Sequence, residues 1–349
     1  MKLSLLSSSL AIFLQLASAA PTPTSDENVV QERANIAKRA TITDIATTGY
    51  ATQNGGTTGG NGGTVTTVST LAQFTTAVTN GKSATIHKTE TCSDDVARII
   101  VVSGTITGSV QVRVGSNKSI IGKSGATLVG VGLYINKSAN VIVRNIISQK
   151  VLATNGDGIG IQISTNVWVD HCELSSDLDN GKDYYDGLVD ITHASEWVTV
   201  SNSYLHDHFK ASLIGHSDNN GAQDTGHLHV SQHNNYWENI GSRTPSIRFG
   251  TGHIFNSYFK NMSTGVDTRD GAEVLVQSNV FSEVNEPIAA LYSDDTGYAV
   301  AIDNDLGGAS NTAPAGNLTA SSMPYSYSLL GSGSVVAAVV GTAGATLSF

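Results

Sequence analysis

Val141-Ile-Val-Arg-Asn145, Val167-Trp-Val-Asp-His171 and Val198-Thr-Val-Ser-Asn202 are three versions of one short phrase. Each is a β-branched run with period-2 alternation that closes on a polar step. The phrase continues through Leu228 to Asn234, Gly252-His-Ile-Phe-Asn256 and Val274-Leu-Val-Gln-Ser278, so that its closing positions advance by 26, 31, 32, 22 and 22 residues. Runs of this length followed by Gly/Asn/Asp-rich turns read as strands. Strands returning at a period of 20–50 residues indicate stacked coils rather than alternating β and α units. The expected fold is therefore all-β, a parallel β-helix. Asn145, Asn202, Asn256 and their counterparts are expected to stack inside it as an amide ladder, each coil bonded to the next.

The composition fits many short coils with many turns: 36 glycines, 14% charged residues and abundant Ser, Thr and Val. Helical signatures are scarce. Thr70-Leu-Ala-Gln-Phe-Thr-Thr-Ala-Val has apolar residues at helical spacing behind a capping threonine, which predicts a helix closing the N-terminal end of the stack. Residues 310–349, with Pro314 and many Gly, Ala and Ser, read as a loose tail packed over the other end. The two longest intervals exceed the 22-residue ones by nine or ten residues. That excess lies around residues 179–186 and 217–227, where loops are expected to protrude on one side of the scaffold.

The chain begins as a secretory precursor. A basic start (Met1-Lys2), an apolar stretch from Leu3 to Leu16 and Ala17-Ser18-Ala19 place a signal peptide at residues 1–19. The apolar stretch is too short to span a bilayer. Residues 20–39 are polar and end in Lys38-Arg39, the expected limit of a propeptide, which leaves 40–349 as one catalytic domain. The formal charge of −10 for the whole chain becomes about −11 without residues 1–39. A protein this acidic is a poor nucleic-acid binder, and a monomer without membrane or nucleic-acid partners is expected. Cys92 and Cys172 either pair or stay free, and two cysteines are too few to hold the fold. Asn117, Asn136, Asn261 and Asn317 each open a glycosylation sequence.

The chemistry concentrates between Asp157 and Arg248. Asp157 stands in Asn155-Gly-Asp157-Gly, followed by Asp186-Gly-Leu-Val-Asp190, then Lys210, then Arg243-Thr-Pro-Ser-Ile-Arg248. Carboxylate oxygens are the donors Ca²⁺ prefers, and Arg and Lys suit an acidic substrate. The set suggests a calcium site facing a polyanionic sugar chain. His206-x-His208 and His227-x-His229 with His233 invite a zinc reading, which has no carboxylate motif in support and is set aside.

Val167-Trp-Val-Asp-His171 resembles the V-W-I-D-H signature of the extracellular pectate lyases of polysaccharide lyase family 1. The Asp186/Asp190 pair, Lys210 and Arg243-x-Pro245-x-x-Arg248 follow at that family's spacings, and the likeness covers roughly residues 95–300. It implies a right-handed parallel β-helix and Ca²⁺-dependent eliminative cleavage of polygalacturonate. Asp157, Asp186 and Asp190 then look like calcium ligands, Arg243 like the catalytic base, and Lys210 and Arg248 like substrate binders. Some family members carry an acid where Asn155 stands and a glutamate where Asp186 stands. The Trp168-Asp170-His171 signature lies outside the calcium cleft in the family.

Such a reaction removes the C5 proton beside a uronate carboxylate, which is hard unless that carboxylate is neutralised. Arginine is an awkward base because its guanidinium stays protonated at ordinary pH. Nearby cations favour the neutral form, and an alkaline optimum follows if that form is still rare near neutrality. A calcium-independent pectin lyase, a polygalacturonase with flanking paired carboxylates and a non-enzymatic β-helix are the rival readings.

Overall fold

The computed structural model describes residues 40–79 and 94–349. The signal peptide, the propeptide with its Lys38-Arg39 end, and Cys92 all lie outside the described residues.

Two long parallel sheets wind past each other. The first stacks ten strands, from Thr64–Val68 through Arg98–Val102, Lys118–Gly122, Ala139–Arg144, Thr165–Asp170, Glu196–Ser201, His229–His233, Thr251–Phe255 and Glu273–Gln277 to Tyr298–Ile302. The second is folded lengthwise, because long strands such as Thr127–Asn136 and Tyr258–Arg269 pair with one neighbour near their starts and another near their ends. Among the described residues every pairing between these strands is parallel, as expected for a β-helix, with antiparallel contacts confined to isolated bridges such as Leu152↔Tyr185. The registers Arg144↔Asp170, Asp170↔Ser201, Ser201↔His233, His233↔Phe255 and Phe255↔Gln277 reproduce the sequence steps of 26, 31, 32, 22 and 22 residues.

Alternate residues of each strand fill the interior. Val141, Val143, Val167, Val169, Val198 and Val200 belong to one core cluster that extends from Val68 to Ala299. The opposite face of the first sheet is also covered. Residues 46–60 run back across it: the Ala51 and Gly60 amides donate to Thr199 Oγ1 (2.8 Å) and Ser119 Oγ (2.9 Å), while Ala46 and Ala51 pack with Ile142 and Trp168. Covering on both faces explains why these strands are nearly continuous apolar runs.

The ladder is present one residue later than the sequence suggested. Asn145, Asn202 and Asn256 each follow the last strand residue with φ of 58°, 48° and 53°, and His171, Asn234, Ser278 and Asp303 share that left-handed conformation. Asparagine tolerates this region because its short amide bonds locally. These residues turn the chain instead of filling it: the Asn256 amide donates to Ser328 O, and Asn234 donates to Asn202 Oδ1. The next residue of each coil points inward. Ser203 N donates to Asn235 Oδ1, Asn235 N to Ser257 Oγ, Ser257 N to Asn279 Oδ1 and Asn279 N to Asn304 Oδ1, at 2.9–3.2 Å. Beside it Trp237, Phe259 and Phe281 stack within 8° of parallel.

The N-terminal end is closed as expected. Leu71–Thr79 is helical, the Gln73 amide donates to Thr70 Oγ1, and Phe74 and Val78 are fully buried in the core cluster. The C-terminal segment is different from the expected loose tail. It doubles back along the outside: Tyr325 and Tyr327 lie against His253 and Phe255, and the helix Ser332–Val339 covers Tyr236 and Tyr258. Leu347 and Asn145 exchange two hydrogen bonds. Exposed aromatic rows on the coils supply the apolar surface that holds it down.

Cys172 is fully buried with a free thiol, which burial pushes up to about 12. Asn136 is buried with its amide on Tyr134 Oη, so it is not available for a glycan, whereas Asn261 and Asn317 are exposed. Among the described residues no helix is long and apolar enough to cross a membrane.

The inward ladder and the outward turn asparagines should differ in stability. Asn279→Ala leaves the Ser257 amide and the Ile254 carbonyl unpaired in the core and should cost about 2 kcal/mol. Asn234→Gly keeps a residue suited to positive φ and should cost under about 1 kcal/mol. Chemical denaturation midpoints measure both, and equal costs would contradict this placement of the ladder.

Candidate active site

The chain bonds at the bend between the two halves of the second sheet align four coils. Gly158 N donates to Gly187 O, Leu188 N to Ala211 O, Ala211 N to Ser242 O and Ser212 N to Arg243 O. Asp157, Asp186, Lys210 and Arg243 therefore occupy matching places in successive coils, although 86 positions separate the first from the last. Coils stack at about 4.8 Å, so two acidic places adjoin two basic ones along one line. Asp190 lies in the strand Val189–Thr192, on its outward face between buried Val189 and Ile191.

Asp157 and Asp190 converge over Gly187. The Gly187 amide donates to Asp157 Oδ1 at 2.9 Å. A methyl group at Gly187 would lie 2.3 Å from Asp190 Oδ1 and 2.9 Å from Asp157 Oδ1. The Leu213 amide donates to the same Asp190 oxygen. Removal from water and the charge of Asp186 push Asp157 up to about 7, against the opposing pull of the Gly187 amide, Arg243 and Lys210. Burial and then the charge of Asp157 raise Asp190 well above the ordinary carboxylate range. Two carboxylates forced together in a dry place disfavour their own ionisation unless a cation joins them. Asp186 stands apart from this pair. It is partly exposed, 3.8 Å from Lys210 Nζ, and among the described residues no three His, Cys, Asp or Glu side chains close into a ready metal cluster.

Lys210 Nζ also meets Asp183 at 3.0 Å, a residue of the protruding loop whose side chain is 74% exposed. Arg243 has φ 61° and precedes a cis Thr244–Pro245 bond. Its guanidinium has no hydrogen-bond or ion-pair partner among the described residues, yet its charge acts on both Asp157 and Asp190. Arg248 is the predicted residue that stands away from this group. It is buried in the strand Ser246–Arg248, with Nε 2.5 Å from Asp218 Oδ1 and 3.2 Å from Asp270 Oδ2, and Nη1 donating to Gly215 O. Asp218 belongs to the second protruding loop and bridges to Arg269 Nη2 at 3.0 Å.

His208 was missed as a site residue. It is buried two residues before Lys210, where a carbonyl acceptor requires Nε2–H to donate to Asp186 O at 2.6 Å and Nδ1 to accept from Ser176 Oγ at 2.7 Å. It fixes the backbone that carries Asp186, and burial drives it down to about 4, so it stays neutral. The spacing His208-x-Lys210 on one strand face was the available signal. Asn155 donates to Ser109 Oγ on the strand Thr105–Val114, two coils earlier.

The other histidines have separate partners. His206 meets Asp207, both His227 and His229 meet Glu196, and His233 stacks on Phe255. The Trp168-Asp170-His171 signature lies on the first sheet. Burial there would raise Asp170, but His171 and Arg144 overcome it and hold the carboxyl well below its usual range. Trp168 Nε1 and Asp170 Oδ1 both meet Ser201 Oγ, which gives the signature a structural job.

The sequence model of the family described as pectate lyase matches residues 29–348. A probable pectate lyase A of Aspergillus fumigatus is 59% identical over 336 residues, covering 96% of each chain. Pectate lyase A of Aspergillus niger is 56% identical over 333 residues, covering 95% of this chain and 94% of the relative. A solved pectate lyase from Bacillus sp. N165, in complex with trigalacturonate, superimposes with a TM-score of 0.76 at 32% identity, over 86% of this chain and 99% of that one. A parallel β-helix, an acidic pocket beside a row of cations, and relatives matched over nearly their whole length lead to one assignment: the chain belongs to the pectate lyase family and is a polysaccharide lyase.

Proposed function

We propose that this enzyme cleaves de-esterified galacturonan by β-elimination around a Ca²⁺ held by Asp157, Asp190 and Asp186. The observation that carries the proposal is the convergence of Asp157 and Asp190 on Gly187, one coil from Lys210 and two from Arg243. The residues suit the ion. All donors are hard oxygens, the two inner carboxylates have no cation in ion-pair contact among the described residues, and only a glycine leaves their oxygens a common space. Calcium, when bound, supplies charge neutralisation for a uronate carboxylate and so makes the neighbouring C5 hydrogen easier to remove.

Arg243 serves as the base. Its side chain is free of ion pairs and faces the acidic pocket across which a uronate would lie. As the C5–H bond breaks, its electron pair becomes the C4–C5 double bond and the C4–O bond opens. The net change is transfer of one proton from C5 to the departing oxygen, with no water consumed. Lys210 binds a uronate carboxylate by exchanging its exposed partner Asp183 for the substrate, an exchange that costs little because exposed ion pairs are weak. Arg248, held by Asp218 and Asp270, presents its remaining Nη2 as a fixed donor toward the leaving side. His208 and the Gly187 amide keep the two acidic places in position. Secretion through residues 1–19, with removal of 20–39 after Lys38-Arg39, is the corresponding proposal for the chain's start.

Polygalacturonate treated with the enzyme should yield product absorbing in the ultraviolet band of an unsaturated uronate. Excess EDTA should abolish that signal and added Ca²⁺ restore it; activity that survives the chelator would reject calcium dependence. Arg243→Lys should reduce kcat by at least about a hundredfold while calcium affinity, read by titration calorimetry, stays near wild type. Near-normal turnover in this variant would remove Arg243 from the role of base. Gly187→Ala should weaken calcium binding by at least about tenfold with the circular dichroism of the β-helix retained, since the added methyl occupies the place where the carboxylates converge. Unchanged affinity would exclude Asp157 and Asp190 as joint ligands.

A further inference from the structure

The cations assigned above all lie on the C-terminal side of the acidic pocket, although the outward row of residues continues in the other direction. On the strands Thr105–Val114, Thr127–Asn136, Ile159–Gln162 and Val189–Thr192, the register places Arg113 beside Tyr134, Tyr134 beside Gly160, and Gly160 beside Asp190. Val112, Val114, Leu133, Ile135, Ile159 and Ile161 are fully buried. The alternating residues Arg113, Tyr134 and Gly160 therefore form part of the same outward row as Asp190.

This row is built rather than loose. Arg113 Cζ lies over the Tyr134 ring at 5.3 Å from its centroid. Tyr134 Oη donates to Gln162 Oε1 at 2.9 Å and accepts from Asn136 Nδ2 at 2.5 Å. The ring is thus anchored at its hydroxyl and stacked by a planar cation, an arrangement that holds both groups in place. Among the described residues of this row, Gly160 stands between the ring and the carboxylates. A methyl group there would lie 3.7 Å from Tyr134 Cδ2 and 2.9 Å from Asp157 Oδ2. At Gly160, therefore, no side chain of this row stands between the carboxylates and the tyrosine.

We propose that Arg113, stacked on Tyr134, is a distal subsite that binds the carboxylate of a uronate remote from the scissile bond. The inference rests on the polygalacturonate reading of the site. A galacturonan repeats its carboxylate at every sugar, so a chain leaving three aspartates toward the N-terminal coils meets repulsion unless a cation follows. Arg113 stands two coils before the Asp157 coil, about 10 Å along the axis, which is beyond the sugar at the calcium but within reach of a longer chain. Its guanidinium carries five N–H donors, so it can meet a carboxylate alongside its other contacts while its flat face stays on the ring. Tyr134 contributes the fixed platform, and its hydroxyl is already committed to Gln162 and Asn136.

The test compares R113Q with wild type on hexagalacturonate and trigalacturonate in the presence of Ca²⁺. The ratio of kcat/KM for the longer over the shorter substrate should fall by about three- to tenfold in R113Q, mainly through KM. Product lengths from polygalacturonate should shift as the preferred register of binding is lost. A ratio equal to wild type, or an equal proportional loss on both substrates, overturns the subsite. Should R113Q fail to fold, R113K retains the charge without the planar fork and should reduce the ratio by a smaller factor; no reduction overturns the proposal. Calorimetric binding of the two oligomers separates this inference from the reading beneath it. If wild type forms no unsaturated product, the lyase reading fails, whereas equal hexamer-over-trimer binding preference in wild type and R113Q removes the subsite alone.

Discussion

Parallel pairing between successive coils is the constraint on which the remainder of this molecule depends. Each coil donates its backbone to the next at a fixed spacing, so residues 20 to 30 positions apart become neighbours. The left-handed residue after each of the last seven strands of the first sheet keeps those coils in phase. The residue after it then always points inward, where Ser203, Asn235, Ser257, Asn279 and Asn304 satisfy one another's polar groups. A buried amide without such a partner would carry a full desolvation cost. The ladder therefore ties the phase of each coil to that of its neighbours.

The same pairing produces the electrostatic character of the groove. A compact α/β arrangement would have to bring Asp157, Asp186, Lys210 and Arg243 together from unrelated elements. Here stacking alone aligns them, with two acidic coils followed by two basic ones. The acidic part is under tension: withdrawal from water raises both carboxyls, Asp186 adds to the rise at Asp157, and Asp157 adds to the rise at Asp190. The basic part is partly neutralised by loop carboxylates, Asp183 on Lys210 and Asp218 on Arg248 and Arg269. Both protruding loops thus place an acid against a cation of the site. On the proposed reading, Ca²⁺ would answer the acidic part and an acidic sugar the basic part.

The strand repeat was readable because a coil's length leaves its mark directly in the spacing of apolar runs, and the registers follow those spacings residue for residue. The ladder was misplaced by one position for a related reason. In extended chain one residue separates an inward from an outward side chain, and a run ending in asparagine does not announce that this asparagine turns with positive φ. The tail was misread as an end cap since its Gly, Ala and Ser content conveys little. Its attachment depends on Tyr236, Tyr258 and Phe255, which become a continuous surface only after stacking.

Sequence by itself determined the repeat, the strand phase, the capping helix and the residue types of the site, because these depend on local alternation and on the chemistry of single side chains. The tertiary structure decided which of those residues meet. It joined Asp157 to Asp190 over Gly187, brought Lys210 beside Asp186, set His208 beneath the Asp186 backbone and withdrew Arg248 into its own carboxylate pair. Those outcomes depend on contacts between coils, whose partners are separated by loops of unequal length, and no local pattern encodes such distances.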